Sequence, residues 1–306
     1  MKILVTGGAG FIGSHVVDAY IERGHDVVVV DNLATGSRDN LNPKAAFVEI
    51  DIGSDQLGAV FAEHAPEVVN HLAAQIDVRL SVEKPLFDAQ TNVLGSINVL
   101  QNCVDHGVGK FIFASTGGAI YGDAATLPAS EEQTPRPLCH YGVAKYCVEN
   151  YIRLYGTLHG LRYTILRFPN VYGPRQNPRG EAGVCAILTG LMLEGKTPVL
   201  YGHGQPLRDY VYVGDIARAN ALALDAGDGE VLNLGSGKGA SVLDIFNGLK
   251  EILAFDQEPR LEPLRPGEVE NNYITGDRAA AVLGWRPEVE LRDGLARTVA
   301  HVRREA

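Results

Sequence analysis

Short apolar segments alternate with longer amphipathic stretches along the first half of the chain, and this alternation constrains the fold most. Six segments rich in β-branched and aromatic residues are nearly continuous in apolar character, as expected for strands covered on both faces. They are residues 2–5, 27–30, 47–50, 68–71, 110–114 and 162–167. Helices are predicted between them at residues 12–23, 57–64, 85–106 and 141–159. Such alternation predicts right-handed crossovers and a doubly wound parallel α/β sheet.

The pattern changes after about residue 168, where Pro and Gly interrupt the sequence repeatedly. Helices are predicted further on at residues 184–194, 215–224 and 242–253, and extended segments at residues 209–213 and 231–234. We interpret residues 1–168, with returning segments at about 209–235, as one domain. Residues 169–208 and 236–306 are predicted to form a smaller α/β lobe that binds substrate.

Composition argues against several functional classes. The chain has 306 residues and a formal net charge of -10, so binding of nucleic acid through a basic surface is not expected. No segment approaches the roughly 20 apolar residues of a membrane span, and the apolar start is too short for a signal peptide. Its four cysteines do not have metal-binding spacing. We therefore expect a soluble cytoplasmic protein with buried thiols and no metal site.

A glycine-rich segment follows the first predicted strand directly. Gly7, Gly10 and Gly13 are spaced three residues apart where that strand turns into a helix. Glycine there permits a sharp turn and close approach of a pyrophosphate to the helix N-terminus. The second strand ends at Asp31, whose carboxylate can accept hydrogen bonds from both ribose hydroxyls and would repel a 2′-phosphate. The segment predicts a Rossmann-type site for NAD rather than NADP; the alternative is a purely structural turn.

The third and fourth predicted strands also end in residues suited to a cofactor. Asp51 and Ile52 follow one, and Leu72, Ala73 and Ala74 follow the other. Ligands of open α/β sheets lie at the carboxyl ends of the strands. We expect Asp51 to bind the adenine amino group and the small alanines to let the cofactor lie against the backbone. Each segment taken alone is equally compatible with an ordinary turn.

Tyr141 and Lys145 lie four residues apart at the start of a predicted helix, and so on one face of it. Tyrosine, with a pKa of about 10, is a poor base at neutral pH. A neighbouring ammonium and a nicotinamide cation are expected to lower the pKa of Tyr141 so that it can exchange a proton with a sugar hydroxyl. At the end of the fifth strand, Thr116 is the better candidate to bind the reacting oxygen. Ser115 is expected to face the cofactor or the backbone.

These motifs resemble those of the extended short-chain dehydrogenase/reductase family, and within it the UDP-glucose (UDP-galactose) 4-epimerases. The matching segments cover nearly the whole chain in order: MKILVTGGAGFIGSH, VVDNLATG, HLAAQ, TNVLGSINVL, FASTGGAIYG, YGVAK, LRFPNVYGPRQ, RDYVYVGDIA and LRPGE. The resemblance implies tightly held NAD, a homodimer built from paired helices, and catalysis by Thr116, Tyr141 and Lys145. FASTGGAIYG carries one glycine more than the commoner family segment, which leaves the choice between Thr116 and Ser115 open.

The resemblance also implies the residues that surround the two ligands. For the cofactor they are Gly7, Gly10, Phe11, Ile12, Gly13, Asp31, Asn32, Asp51, Ile52, Leu72, Ala73, Ala74, Asn92, Ser115, Tyr141, Lys145 and Phe168, with Asn92 supporting the lysine. For the UDP-sugar they are Thr116, Asn170, Gly183, Val184, Val199, Tyr201, Arg208, Arg265, Glu268 and Asn272. The two arginines are expected at the diphosphate. Asn272, smaller than an aromatic residue, is expected to admit N-acetylated sugars.

Relatives in this family share oxidation of the sugar at C4 and differ in the fate of the 4-keto sugar that results. The segment Gly117-Gly118-Ala119 carries no carboxylate, so elimination of water would lack its acid or base. This favours return of the hydride and inversion at C4. A UDP-glucuronate 4-epimerase, a nucleotide-sugar 4,6-dehydratase and a non-catalytic NAD(H)-binding regulator remain as alternatives.

Overall fold

A computed structural model describes residues 1–178, 183–265 and 269–305. The strands are β1 (Lys2–Thr6), β2 (Asp26–Asp31), β3 (Ala46–Glu49), β4 (Val68–His71), β5 (Lys110–Thr116), β6 (Arg162–Phe168), β7 (Asn170–Tyr172), β8 (Val199–Tyr201), β9 (Leu207–Arg208), β10 (Tyr210–Tyr212), β11 (Glu230–Asn233), β12 (Ala240–Ser241), β13 (Arg260–Glu262) and β14 (Asn271–Asn272). The helices are α1 (Phe11–Glu22), α2 (Leu57–His64), α3 (Val78–Glu83), α4 (Pro85–Ala89), α5 (Gly95–Asp105), α6 (Gly117–Ile120), α7 (His140–His159), α8 (Val184–Leu193), α9 (Val213–Leu222), α10 (Val242–Leu253), α11 (Asp277–Leu283) and α12 (Leu291–Glu305).

Seven of these strands form one parallel sheet in the order β3-β2-β1-β4-β5-β6-β11. The predicted doubly wound α/β fold is confirmed, and each predicted strand of this sheet lies within one or two residues of its observed position. The chain order reverses between β1 and β4, and in open sheets the crevice above such a reversal is where ligands bind.

Both faces of the sheet are covered by helices, which explains the continuous apolar strands. Along β1, Ile3 and Val5 belong to one buried core together with residues of α1 and α9. Leu4, between them, belongs to a second core with residues of α2, α5 and α7. Successive side chains of a strand point to opposite faces, so a strand buried on both faces has no polar alternation.

A third core lies among α8, α10 and α12, which the later part of the chain contributes. It includes Leu188 from α8, Phe246 and Leu249 from α10, and Leu295 from α12. Short strand pairs outside the seven-stranded sheet join segments of this part of the chain: β10 pairs with β7, and β9 pairs with β12 and β14. None of the helices in the described part of the chain has the length and apolar character needed to cross a membrane.

The single helix predicted over residues 85–106 is wrong. The chain forms α4, then one π-helical turn over Gln90–Leu94, then α5. The side chain of Asn92 in that turn is buried and bonded to the segment after β4. A π turn is rare and is often found at functional sites. Apolar periodicity could not reveal it because it depends on these tertiary contacts.

Candidate active site

The glycine segment between β1 and α1 is held by backbone contacts that leave no room for side chains. A Cβ on Gly13 would lie 2.1 Å from the Gly7 carbonyl oxygen, and one on Gly7 would lie 2.7 Å from the Ala73 nitrogen. Gly7 also has a φ of +72°, which favours glycine. Helix α1 has no side-chain cap and no acid in its first turn, where Phe11 and Ile12 lie. Its N-terminal N–H groups are therefore available to an anion.

Two carboxylates lie at the ends of β2 and β3, as the sequence predicted. The buried Asp31 accepts hydrogen bonds from the backbone nitrogens of Ala9, at 3.0 Å, and Leu33, at 2.8 Å. Asp51 accepts from the Asn32 side chain, at 2.7 Å, and from the Gly53 nitrogen, at 2.7 Å. Each oxygen can accept more than one bond, so both carboxylates are oriented yet retain capacity for ligand hydroxyls or amines.

Thr116, Tyr141 and Lys145 come together where β5 meets the start of α7. The Thr116 hydroxyl is hydrogen-bonded to Tyr141 and accepts from the Ala119 nitrogen at 3.1 Å. The Lys145 ammonium donates to the Ala114 carbonyl at 2.9 Å and lies 5.9 Å from the centre of the Tyr141 ring. The three side chains predicted to act together therefore occupy one site.

Burial controls the ionisation of this site. It raises the pKa of Tyr141 well above its usual value, whereas the hydrogen bond from Thr116 lowers it. Burial lowers the pKa of Lys145 to about 8, and the charge of Asp88 opposes that shift. The predicted lowering of the pKa of Tyr141 is therefore wrong for the protein alone, because desolvation outweighs any effect of the nearby ammonium.

The two adjacent hydroxyls have different hydrogen-bond partners. Ser115 is buried and donates to Glu149 at 2.7 Å. Glu149 also forms a bidentate ion pair with Arg167, whose guanidinium nitrogens lie 2.9 and 2.6 Å from the two carboxylate oxygens. The Ser115 hydroxyl therefore donates away from the site, and Thr116 is the hydroxyl beside Tyr141.

Asn92 is connected to Lys145 indirectly. Its side chain accepts from the Gln75 nitrogen at 2.8 Å, and donates to the Gln75 carbonyl and to Asp88 Oδ1, both at 2.9 Å. Asp88 is 1% exposed and its charge acts on Lys145. Sequence reasoning missed Asp88, although its spacing of four residues from Asn92 on a predicted helix was a usable signal.

A narrow cleft adjoins Thr116 and is lined by Gly117, Gly118, Pro169, Asn170, Asp209, Asn272 and Ile274. Asn272 donates to the Gly118 carbonyl at 2.8 Å. A Cβ on Gly118 would lie 3.3 Å from Asn170 Oδ1 and 3.8 Å from Thr116 Oγ1, so this glycine keeps the cleft open. Asp209, which sequence reasoning also missed, accepts from the Ser236 hydroxyl at 2.6 Å and the Ile274 nitrogen at 3.2 Å.

Most residues predicted to bind the nucleotide lie in the later part of the chain. The Arg208 guanidinium donates to the carbonyl oxygens of Leu207, Val269 and Glu270. The Arg265 guanidinium lies 3.6 Å from the centre of the Tyr201 ring, so the structure brings these two predicted residues together. Gly183 immediately precedes α8, Val184 begins it, and Val199 begins β8. Glu268 lies outside the described residues.

Known proteins resemble the chain over its whole length. The profile of the NAD dependent epimerase/dehydratase family matches residues 3–235. A putative UDP-glucose 4-epimerase of Methanocaldococcus jannaschii is 48% identical over 297 residues, 97% of each chain. The crystal structure of UDP-glucose 4-epimerase with UDP-glucose from Thermotoga maritima has a TM-score of 0.98 and 50% identity, covering 100% of this chain and 99% of that one. The Thermus thermophilus UDP-glucose 4-epimerase complex with NAD has a TM-score of 0.92 and 42% identity, covering 99% of each chain.

Proposed function

The chain belongs to the NAD dependent epimerase/dehydratase family, and on that premise we propose that it inverts C4 of a UDP-hexose, interconverting UDP-glucose and UDP-galactose. The observation that carries the proposal is the contact between Thr116, Tyr141 and Lys145 at the carboxyl edge of the sheet. A partly buried phenol beside an ammonium and a second hydroxyl is suited to moving a proton on and off a sugar hydroxyl. The UDP-glucose 4-epimerases that resemble the whole chain support the same substrate class.

The glycine segment fits NAD. At Gly7 and Gly13 a Cβ would clash with backbone atoms, so this segment forms a cradle of backbone without side chains. The uncapped N-terminus of α1 faces this cradle. We assign the pyrophosphate to this cradle and the adenosine ribose to Asp31. When bound, NAD accepts the hydride from C4 of the sugar and returns it.

Residues of the chain transfer the proton of the C4 hydroxyl. Tyr141 takes the proton of the C4 hydroxyl and gives it back, while Thr116 orients that oxygen through its hydroxyl. Lys145 stabilises the phenolate, which burial alone disfavours. The amides of Asn170 and Asn272, which line the adjoining cleft, hold the hexose. Residues 117–119 carry no carboxylate, and Asp209 in the cleft is engaged by Ser236 and the Ile274 nitrogen, which favours epimerisation over loss of water.

The nucleotide is proposed to bind in the lobe of residues 169–208 and 236–306, against the NAD-binding domain of residues 1–168 and about 209–235. Arg208 and Arg265 bind the diphosphate, and Tyr201 stacks on the base. Two observations support this assignment. The Arg208 guanidinium is oriented by hydrogen bonds to three carbonyl oxygens, and the Arg265 guanidinium contacts the Tyr201 ring. These assignments place the sugar next to Asn272 at the cleft.

A homodimer and a cytoplasmic location complete the proposal. Large apolar side chains are exposed along α4, the π turn and α7: Leu86 at 86%, Leu94 at 61% and Leu158 at 65%. Such a surface is typical of a protein contact, and the occupant we propose is a second copy that pairs the same helices. All four cysteines are free thiols, which is compatible with a reducing compartment. Sedimentation of the purified protein as a monomer at micromolar concentration would rule out the dimer.

The two neighbouring hydroxyls give a matched test of the site. Thr116→Ala is expected to lower kcat by about 100-fold, because a donor to the reacting oxygen is lost. Ser115→Ala is expected to leave kcat within a few-fold while costing about 1.5–3 kcal/mol of folding stability, because Glu149 loses a buried donor. Steady-state kinetics and urea unfolding of both variants measure this. The reverse pattern would show that Ser115 is the catalytic hydroxyl.

A substrate panel tests the function itself. Purified protein, with no NAD added, is incubated separately with UDP-galactose, UDP-GalNAc and UDP-glucuronate, and the products are analysed. We expect UDP-glucose from the first and, because Asn272 is small, UDP-GlcNAc from the second. A 4-keto-6-deoxy product as the main outcome would identify a dehydratase, and turnover confined to UDP-glucuronate would identify a different epimerase.

A further inference from the structure

We propose that Glu149 and Arg167 are positioning residues whose ion pair sets the alignment of the catalytic hydroxyls; this inference deepens the proposed function and rests on it. Glu149 lies in α7 and Arg167 in β6, and they are 0% and 2% exposed. Arg167 Nε donates to Glu149 Oε1 at 2.9 Å, and Nη2 donates to Oε2 at 2.6 Å. Two parallel bonds of this kind fix the relative orientation of both groups, which a single bond does not.

Glu149 continues the helix face that carries the catalytic side chains. Tyr141, Lys145 and Glu149 follow one another at intervals of four residues along α7, so they lie close to one face. That face packs against the end of β5, where Lys145 donates to the Ala114 carbonyl at 2.9 Å. One turn further on, Glu149 accepts from the Ser115 hydroxyl at 2.7 Å. Glu149 therefore anchors the catalytic helix to β5 directly, and to β6 through the ion pair.

The pair also holds the chain on both sides of Thr116. Before it, Ser115 donates to the carboxylate of the pair. After it comes the short helix α6 and then Tyr121, which is 2% exposed and whose hydroxyl accepts from Arg167 Nη1 at 2.7 Å. The same hydroxyl donates to Asn233 Oδ1 in β11 at 2.8 Å. A displaced pair would therefore shift Thr116 relative to the tyrosine of α7.

The planar guanidinium of Arg167 suits it to this role. It is bonded to both Glu149 and Tyr121, and its carbon lies 5.2 Å from the centre of the Tyr121 ring. A second arginine, Arg153, lies 3.5 Å from Glu149 Oε2, but its side chain is 38% exposed and such a contact contributes little. Lysine at position 167 would keep the positive charge and lose the planar fork. Charge compensation and positioning can therefore be separated by substitution.

The test compares Arg167→Lys and Glu149→Gln with the wild type in kinetics with UDP-galactose. We expect kcat to fall about 10–100-fold, with KM and NAD content near the wild-type values, because misplacing reacting groups by about 1 Å can cost about 100-fold. A purely structural pair would lower the denaturation midpoint and leave the kcat of the folded protein unchanged. Ser115→Ala keeps the ion pair, which agrees with the small change in kcat expected for it.

Lys110→Met, at the opposite end of β5, provides the control. Lys110 is 1% exposed, lies 2.6 Å from Asp228 Oδ1 and donates to the Ala226 carbonyl at 2.8 Å. This variant also breaks a buried ion pair on the same strand, so we expect a lower denaturation midpoint and a wild-type kcat. An equal loss of kcat in this control would overturn the inference. So would a kcat within threefold of the wild type in a folded variant of the pair.

Amide hydrogen exchange of the folded proteins tests the pair without relying on activity. Loosening the pair is expected to speed exchange in peptides spanning residues 116–121 and 140–145, whereas Lys110→Met leaves them unchanged. Wild-type exchange in these peptides of Arg167→Lys and Glu149→Gln would contradict the inference. If Glu149→Gln does not fold, Arg167→Lys carries both measurements. A wild type without epimerase activity would defeat the proposed function, while the exchange data would still decide the role of the pair.

Discussion

Replacing Tyr141 with Phe is expected to lower kcat by about 1,000-fold or more while leaving the fold and the KM nearly unchanged. The variant keeps the ring that packs beneath the Lys145 ammonium and removes only the hydroxyl bonded to Thr116. A general acid–base group contributes roughly 10²–10⁴-fold to a rate, and this one acts on both proton transfers of the cycle. Steady-state kinetics with UDP-galactose measure the loss, and thermal unfolding checks the fold.

The matched control for that variant is Tyr146→Phe. Tyr146 lies in the same helix, packs beside a small apolar cluster at residues 120–129 and contributes its backbone carbonyl to Asn150. Removing its hydroxyl is expected to leave kcat within a few-fold of the wild type. If Tyr141→Phe retained a tenth or more of the wild-type kcat, a different group would have to move the proton.

Gly13→Ala is expected to abolish retention of NAD and to destabilise the fold. The new Cβ would lie 2.1 Å from the Gly7 carbonyl oxygen, a backbone atom that cannot rotate away. Overpacking of this kind costs about 1–3 kcal/mol, and relief requires the glycine segment to separate from α1. The segment would then no longer fit a pyrophosphate. Absorbance of released cofactor after denaturation measures NAD content, and urea unfolding measures stability.

Gly58→Ala in α2 provides the control for that substitution. Its Cβ would meet the Asn102 side chain at 3.0 Å, and a side-chain end can move aside. Alanine also favours a helix over glycine by about 1 kcal/mol, so wild-type NAD content and unchanged or higher stability are expected. Wild-type NAD content in Gly13→Ala would contradict the assignment of the glycine segment to the cofactor.

The sequence predicted the sheet well because its strands are buried on both faces. Continuous apolar runs such as residues 27–30 are a strong signal, and the helices between them restrict the topology to one handedness. Local motifs likewise predicted which side chains meet at the site. Tyr141 and Lys145 share a helix face by spacing alone, and Thr116 ends a strand next to them.

The features that the sequence could not predict depend on contacts between distant segments. The choice of Thr116 over Ser115 rests on Glu149 and Arg167, which reach Ser115 from α7 and β6. The raised pKa of Tyr141 reflects its desolvation by surrounding segments, which spacing does not encode. The hydrogen bond that Gln75 donates to Asp88 joins the segment after β4 to α4, a contact that local sequence does not encode.

The most direct measurement traces the hydrogen at C4. UDP-galactose carrying deuterium at C4 is converted by the purified protein in ordinary water, and the UDP-glucose produced is examined by mass spectrometry and NMR. If the hydrogen leaves C4 as a hydride and returns within one closed site, the deuterium will remain at C4 of the product. Loss of the label to solvent would contradict the account, because inversion would then proceed by proton exchange rather than by oxidation and reduction of the sugar.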